Sequence, residues 1–265
     1  MSSPLITLIT DFGLEDHYTG TMKGVILSGC PEARLVDITH QVPPFSIHAG
    51  AYQLAQAAPF FPPGTIHVVV VDPGVGSERR AILVEAHEQL FIAPDNGVLT
   101  LAVEHDEKRV VRELRNPALW RPVPSATFHG RDIFAPVAAA LASGKARASD
   151  TGPVLTGMIL LPDLRATPAD AHTWQGIVLS VDHFGNVVTN FRAVEFLARL
   201  TNGFLLAAGS AEISTFRTTF SDAAANEIFV YAGSSGYLEI GMNQGPAARR
   251  LGILTGDRIR LTFVH

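Results

Sequence analysis

Three β-branched runs in this sequence each end on an aspartate that is followed within two residues by glycine. Leu5 to Thr10 leads into Asp11-Phe12-Gly13, and Ile66 to Val71 into Asp72-Pro73-Gly74-Val75-Gly76-Ser77-Glu78-Arg79-Arg80. Leu90 to Ala93 leads into Pro94-Asp95-Asn96-Gly97. In an open α/β sheet, ligands collect outside the carboxyl ends of the strands, and glycine there permits tight turns and close approach of backbone to ligand. One such aspartate is an ordinary turn residue; three at one sheet edge form a candidate site. Two chemistries are open to them. As hard oxygen donors they would suit Mg²⁺, whereas Arg79 and Arg80 close by would more naturally neutralise or orient a carboxylate. His129, in Thr127-Phe128-His129-Gly130-Arg131-Asp132 ahead of a helical run, adds a group that can serve as acid, base or water-holder near neutral pH.

The second half of the chain offers two polar turns, Val181 to Asn190 (VDHFGNVVTN) and Gly233 to Glu239 (GSSGYLE). Each sets carboxylate, amide or hydroxyl groups beside glycine, suited to gripping a polar small molecule, although Asp, Asn, Ser and Gly also dominate plain turns. Other templates fail. Gly74-Val75-Gly76 lacks the third glycine of a dinucleotide fingerprint, and there is no GxxxxGK[ST] phosphate loop, GxSxG elbow or HExxH pair.

Short, continuously apolar strands alternating with Ala-rich segments must position the first set of residues. Tyr18 to Ser28, Ser46 to Phe60 and Ile133 to Ser143 read as helices, the last ending at Gly144 as a C′ glycine. Runs without alternation are buried on both faces, which predicts an α/β/α sandwich with a mostly parallel central sheet. Gly152 to Pro168 is a proline-bearing connector. Short strands at close spacing follow it and predict a smaller antiparallel β-barrel. The expected domains are residues 1–165 and 166–265, and a length of 265 residues accommodates both.

Composition narrows the partners. Twenty Lys and Arg against 25 Asp and Glu give a net charge of −5, which argues against a general nucleic-acid binder. The single Cys30 excludes an intrachain disulfide and a multi-cysteine zinc site. No run of ~18 apolar residues suggests a membrane span, and MSSPLITLIT has no basic segment leading an apolar one, so a cytoplasmic protein is expected. Only 17% of residues are charged, against a typical ~25%, which suggests surface buried between subunits.

As a set, Thr10 to Gly13, Tyr18 to Gly24 (YTGTMKG), Val71 to Arg80, Ala93 to Gly97, Phe128 to Asp132, Phe184 to Asn190 and Ser234 to Glu239 resemble the S-adenosylmethionine hydroxide adenosyltransferase family, relatives of the fluorinase and chlorinase. The resemblance runs in order over nearly the whole chain. It implies displacement of L-methionine from the 5′ carbon of S-adenosylmethionine by water or hydroxide, giving adenosine. It implies no cofactor, with S-adenosylmethionine as substrate, and a homotrimer with its sites at subunit interfaces. The family's Asp, Arg and His set falls on Asp72, Arg79 and His129. The halogenases carry Tyr where Asp72 stands and Tyr-Ser where His129-Gly130 stand.

On this reading His129 and Asp72 orient the water and draw its proton while Arg79 fixes the Asp72 carboxylate. A sulfonium is already an activated leaving group, so no metal is required. Asp11 matches the acceptor of the ribose hydroxyls and Phe45 an aromatic flanking the reaction centre, with a core position after Pro43-Pro44 as the alternative for Phe45. Asp95 joins the substrate-binding set at the same edge. Asp182 matches a carboxylate that pairs with the methionine ammonium, Asn186 an adenine contact, Phe220 an adenine stack and Ser234 a methionine-carboxylate contact. Ser235 stands where the halogenases have Arg. The competing expectations are a 5′-halogenase on the same scaffold and a non-catalytic S-adenosylmethionine-binding protein.

Overall fold

The computed structural model describes residues 3–264, and the chain divides between Leu161 and Pro162 into two compact units. The first holds β1 (Leu5–Thr10), α1 (Tyr18–Gly29), β2 (Arg34–Thr39), α2 (Ile47–Ala57), β3 (Ile66–Val70), β4 (Ala81–Ala86), β5 (Gln89–Pro94), α3 (Thr100–Val103), β6 (Val110–Glu113) and α4 (Ala135–Ala142). Its sheet has the order β2-β1-β3-β5-β4-β6. The strands β2, β1, β3 and β5 are mutually parallel, and β4 runs antiparallel to both β5 and β6.

Both faces of this sheet are buried, as the continuous apolar runs predict. Ile6, Leu8, Val68, Val70, Leu83 and Ile92 pack under α1 and α4. The alternate residues Ile9, Val69, Val71, Ile82, Val84, Phe91 and Ala93 pack under α2 and α3. Burial of apolar area on two faces at about 25 cal/mol per Å² is what makes the sheet edge a rigid platform. The α2 segment begins where Ser46 accepts from the Ala49 N–H, an N-cap that satisfies an otherwise orphan donor.

The antiparallel β4 arises from a two-residue hairpin, His87-Glu88, in which both residues have positive φ (50° and 59°). This geometry normally signals itself through Asn-Gly or Asp-Gly, so the sequence hides it. Its consequence is functional. The 71–80 loop leaves the carboxyl end of β3 and must cross β5 to enter β4, which keeps Arg79 and Arg80 at the same edge as the three aspartates.

The second unit holds β7 (Thr167–Pro168), β8 (Thr173–Val181), β9 (Val187–Arg192), α5 (Ala193–Leu200), β10 (Phe204–Ala208), β11 (Ala211–Ile213), β12 (Ile228–Ala232), β13 (Tyr237–Met242), α6 (Ala247–Leu251) and β14 (Arg258–Phe263). Its strands run β11-β10-β14-β8-β9-β13-β12, all antiparallel. Just after β11, Phe216 bridges Val230 of β12 and nearly closes the circle, the barrel expected from short, closely spaced strands. Its core is apolar, with Phe191, Phe196, Phe229 and Ile240 fully buried.

Candidate active site

Asp72 follows β3, and the loop that it opens folds back so that Arg79 forks onto it. Arg79 Nε donates to Asp72 Oδ1 at 3.0 Å, and Nη2 donates to Oδ2. The two side chains are only 9% and 4% exposed, so this is a sequestered, bidentate pair of the strong type. Arg79 Nη2 also lies 2.7 Å from His129 Nδ1. A guanidinium can only donate. His129 Nδ1 is therefore the acceptor, which leaves the ring neutral with its proton on Nε2. Burial, and next the Arg79 charge, push the His129 pKa below its ordinary 6.5. The three residues proposed from the motifs are thus brought together, with Arg79 at their centre and 5.4 Å from the Phe134 ring centroid.

Three contacts hold this constellation from outside. Gly76 has φ +78°, and a Cβ there would sit 2.3 Å from the Ala126 carbonyl oxygen, so the Arg79 loop lies directly on the segment that leads into His129. Asn96 Nδ2 donates to the Val71 carbonyl at 2.9 Å, tying the end of β5 to the residue before Asp72. Asp132 is fully buried; it accepts from Ser125 N–H at 2.8 Å and from Arg131 Nε at 2.7 Å. It stands in a π-helical turn, Gly130–Phe134, immediately after His129 and ahead of α4, a local widening of the helix that recurs at functional sites. Gly76→Ala is expected to cost at least about 2 kcal/mol, from backbone strain and the carbonyl clash together. Gly74→Ala, whose Cβ meets nothing nearer than 3.5 Å, should be tolerated; chemical denaturation of both variants checks the contrast.

Asp11 follows β1 and accepts from the Phe45 N–H at 2.8 Å through Oδ2. Burial, and more weakly the Asp72 charge, raise its pKa above the usual 3.8, against the lowering effect of the Phe45 N–H. Phe45 is no core aromatic: it is 72% exposed and holds φ +68°, an uncommon conformation for a bulky residue. The neighbours of Asp11 and His129 touch. The Phe12 and Phe128 rings pack edge to face at 5.8 Å, with Tyr18 against both. These rings, with His17, Ser125, Thr127 and Arg131, line a cavity of about 350 Å³. Sequence reasoning assigned none of the supporting residues Phe12, Asn96, Phe128 and Asp132 a role, although all four lie inside the quoted motifs.

Asp95 is placed differently. Its Oδ2 accepts from Arg80 and its Oδ1 from the Ile159 N–H at 2.7 Å, so it pins the 157–161 segment to the sheet edge. Each of the three aspartates has its own partners, and among the described residues no group of three or more His, Cys, Asp and Glu comes together as a metal cage. Arginine pairing is found at Asp72, with Arg79, and at Asp95, with Arg80, whereas Asp11 accepts from the Phe45 N–H.

In the second unit, Asp182 closes its own turn. Oδ1 accepts from the Phe184 and Asn186 N–H groups, and Oδ2 from Asn186 Nδ2 at 2.9 Å. That bond fixes the amide of Asn186, which is 8% exposed, so that Oδ1 is its remaining acceptor. Asn186 and Phe220 share a cavity of about 460 Å³ with Phe184, Met242, Gln244, Gly245 and Pro246. Met242, Gln244 and Pro246 had no motif signal. Ser234 lies exposed in the β12–β13 turn.

An α/β unit that presents a fork-held carboxylate at a strand end beside a neutral imidazole at a helix start, followed in sequence by an antiparallel barrel with an amide-and-aromatic cavity, describes an enzyme acting on a small polar molecule. The chain belongs to the SAM hydroxide adenosyltransferase family: it matches the family's N-terminal domain over residues 6–152 and its C-terminal domain over 176–260. It is 40% identical to a protein of Salinispora tropica named (R)-S-adenosyl-L-methionine hydrolase, with 98% of each chain covered. A fluorinase of Actinoplanes sp. is 25% identical over 98% of both chains. A crystal structure described as an uncharacterized conserved protein from Thermotoga maritima superposes with a TM-score of 0.87 at 38% identity, covering 97% of this chain and 99% of that one.

Proposed function

We propose that this protein hydrolyses S-adenosyl-L-methionine: water attacks the 5′ carbon, the C5′–S bond breaks, and adenosine, L-methionine and a proton are released. The observation that carries this reading is the Asp72–Arg79–His129 arrangement. Arg79 occupies one lone pair on each Asp72 oxygen, so the carboxylate keeps capacity to accept a proton from water. His129 Nε2–H is a donor to the water oxygen. Asp72 is therefore the proton acceptor, and His129 orients the water rather than sharing that task. The site has to hold the water in line with the breaking bond at roughly 3–3.5 Å from carbon.

The binding roles extend from the same reading. Asp11 takes the ribose hydroxyls, Phe45 sets its ring face against the cationic centre, and Asp95 supports the edge through Arg80. Asp182 faces the methionine ammonium, Asn186 Oδ1 accepts from the adenine amine, Phe220 stacks on the base and Ser234 meets the methionine carboxylate. We propose a cytoplasmic homotrimer in which residues 1–165 of one subunit and 166–265 of its neighbour build each site, a use for the low charged fraction.

Incubation with S-adenosylmethionine in ¹⁸O-water, with chelator present, should yield adenosine labelled on its 5′ oxygen. Methylthioadenosine, a halogenated nucleoside or no product would overturn the assignment, and loss of activity with chelator would restore a metal to the mechanism. The relatives' name makes the (R) sulfonium the form to test first against the (S).

A further inference from the structure

Glu239 is a carboxylate where the barrel has no evident need of one. It sits 7% exposed in β13, opposite Tyr231 of β12 on one side and Val188 of β9 on the other. Its partners are neutral hydroxyls: Ser235 Oγ donates to Oε1 at 2.7 Å, and Tyr231 OH donates to Oε2. Burying a carboxylate costs stability unless its bonds are well made, and these two bonds run to two different structures. Ser235 belongs to the 233–236 turn that carries Ser234. Gly233 of that turn lies so close that a Cβ would be 1.9 Å from Glu239 Oε1. Tyr231 packs against Phe220 with ring centroids 5.2 Å apart, and both rings close over Gly241, where a Cβ would meet them at 3.0 and 3.1 Å. Val188, the β9 partner of Glu239, is two residues beyond Asn186.

We propose that Glu239 is a positioning residue that sets two substrate subsites from one buried carboxylate. Its Ser235 arm holds the turn that presents Ser234 to the methionine carboxylate. Its Tyr231 arm holds the Phe220 ring that walls the base cavity with Asn186. The proposal rests on the assignment of those subsites given above, and it gives Ser235 a task in place of the arginine that the halogenases carry there.

The two products separate the arms, since adenosine and L-methionine are each competitive probes of one subsite. Ser235→Ala should weaken inhibition by L-methionine about tenfold and leave that by adenosine within about twofold; Tyr231→Phe should do the reverse. Glu239→Ala should weaken both, raising KM far more than it lowers kcat. Glu239→Gln, whose amide can accept from one hydroxyl and donate to the other, should restore both inhibitors to within about threefold. The single-hydroxyl variants keep the test valid if Glu239→Ala does not fold. Equal effects of Ser235→Ala and Tyr231→Phe on both inhibitors, or none on either, would overturn the proposal. Asn186→Ala is the control on the underlying assignment: if it leaves adenosine inhibition unchanged, the base cavity itself is misassigned.

Discussion

Asp72→Asn is expected to lower kcat/KM for S-adenosylmethionine hydrolysis by about 10²- to 10⁴-fold, the range of positioned acid–base catalysis, or about 3–5 kcal/mol of transition-state stabilisation. The amide keeps one oxygen to accept from Arg79, so the fork survives in part, but it cannot take a proton from water as the C5′–O bond forms. The loss should fall on kcat, because the proton moves only as the bond to carbon is made. Asp72→Ala is the poorer variant: removing one partner of a buried ion pair leaves Arg79 uncompensated at about 3–5 kcal/mol of folding stability, which mixes unfolding with lost chemistry. Turnover by Asp72→Asn at the unsubstituted rate, in protein of unchanged thermal midpoint, would remove Asp72 from the reaction.

The division of labour behind that expectation was only partly legible in the sequence. The strand-end aspartates could be read because parallel strands buried on both faces advertise themselves as continuous apolar runs, and their carboxyl ends then lie on one edge. What those aspartates do there is a matter of partners. Asp72 and Asp95 are both followed by turns and have arginines within reach, yet one is forked by Arg79 beside an imidazole, while the other accepts from Arg80 on one oxygen and from the Ile159 N–H on the other. Nothing in local spacing separates Arg79 from Arg80. The difference comes from the crossing of the 71–80 loop over β5, which in turn depends on a hairpin built from His87 and Glu88 in conformations neither residue favours.

Similarly, the motif around His129 marks a residue that could work as acid or base, but its tautomer follows from which nitrogen meets the guanidinium. His129 stands at the start of the π-helical turn, and the apolar run from Ile133 into α4 carries no sign of the extra residue per turn. Phe45 shows the reverse case. Its aromatic type after two prolines fits a core position, and only the left-handed backbone, held by the Asp11 carboxylate, turns it outward. In the barrel, alternation and turns announce the strands, whereas Glu239 looks like a surface acid until its two hydroxyl donors are seen.

The central place of Arg79 leads to the second large effect, which is read in the pH profile. His129 is held below its ordinary 6.5 first by burial and then by Arg79, while Asp72 and Asp132 favour its protonated form. The working ring is neutral, so activity should be full at pH 7 and fall as pH drops through the depressed pKa, where a proton on Nδ1 would confront the guanidinium. Arg79→Met should lower kcat by about 10²-fold or more, because the carboxylate loses its fork and the imidazole its donor. The activity that remains should titrate at higher pH: the repulsive charge is gone, and the two aspartates still stabilise the protonated ring. Arg79→Lys also loses the planar fork and much of the rate, but it keeps a positive charge beside the ring, so its acid limb should stay lower than that of Arg79→Met. Asp11, raised above 3.8 mainly by its own burial, contributes a separate carboxylate limb that should persist in both variants. Coincident acid limbs in Arg79→Met and the unsubstituted protein would mean that Arg79 does not govern His129, and the neutral, water-donating imidazole would fall with it.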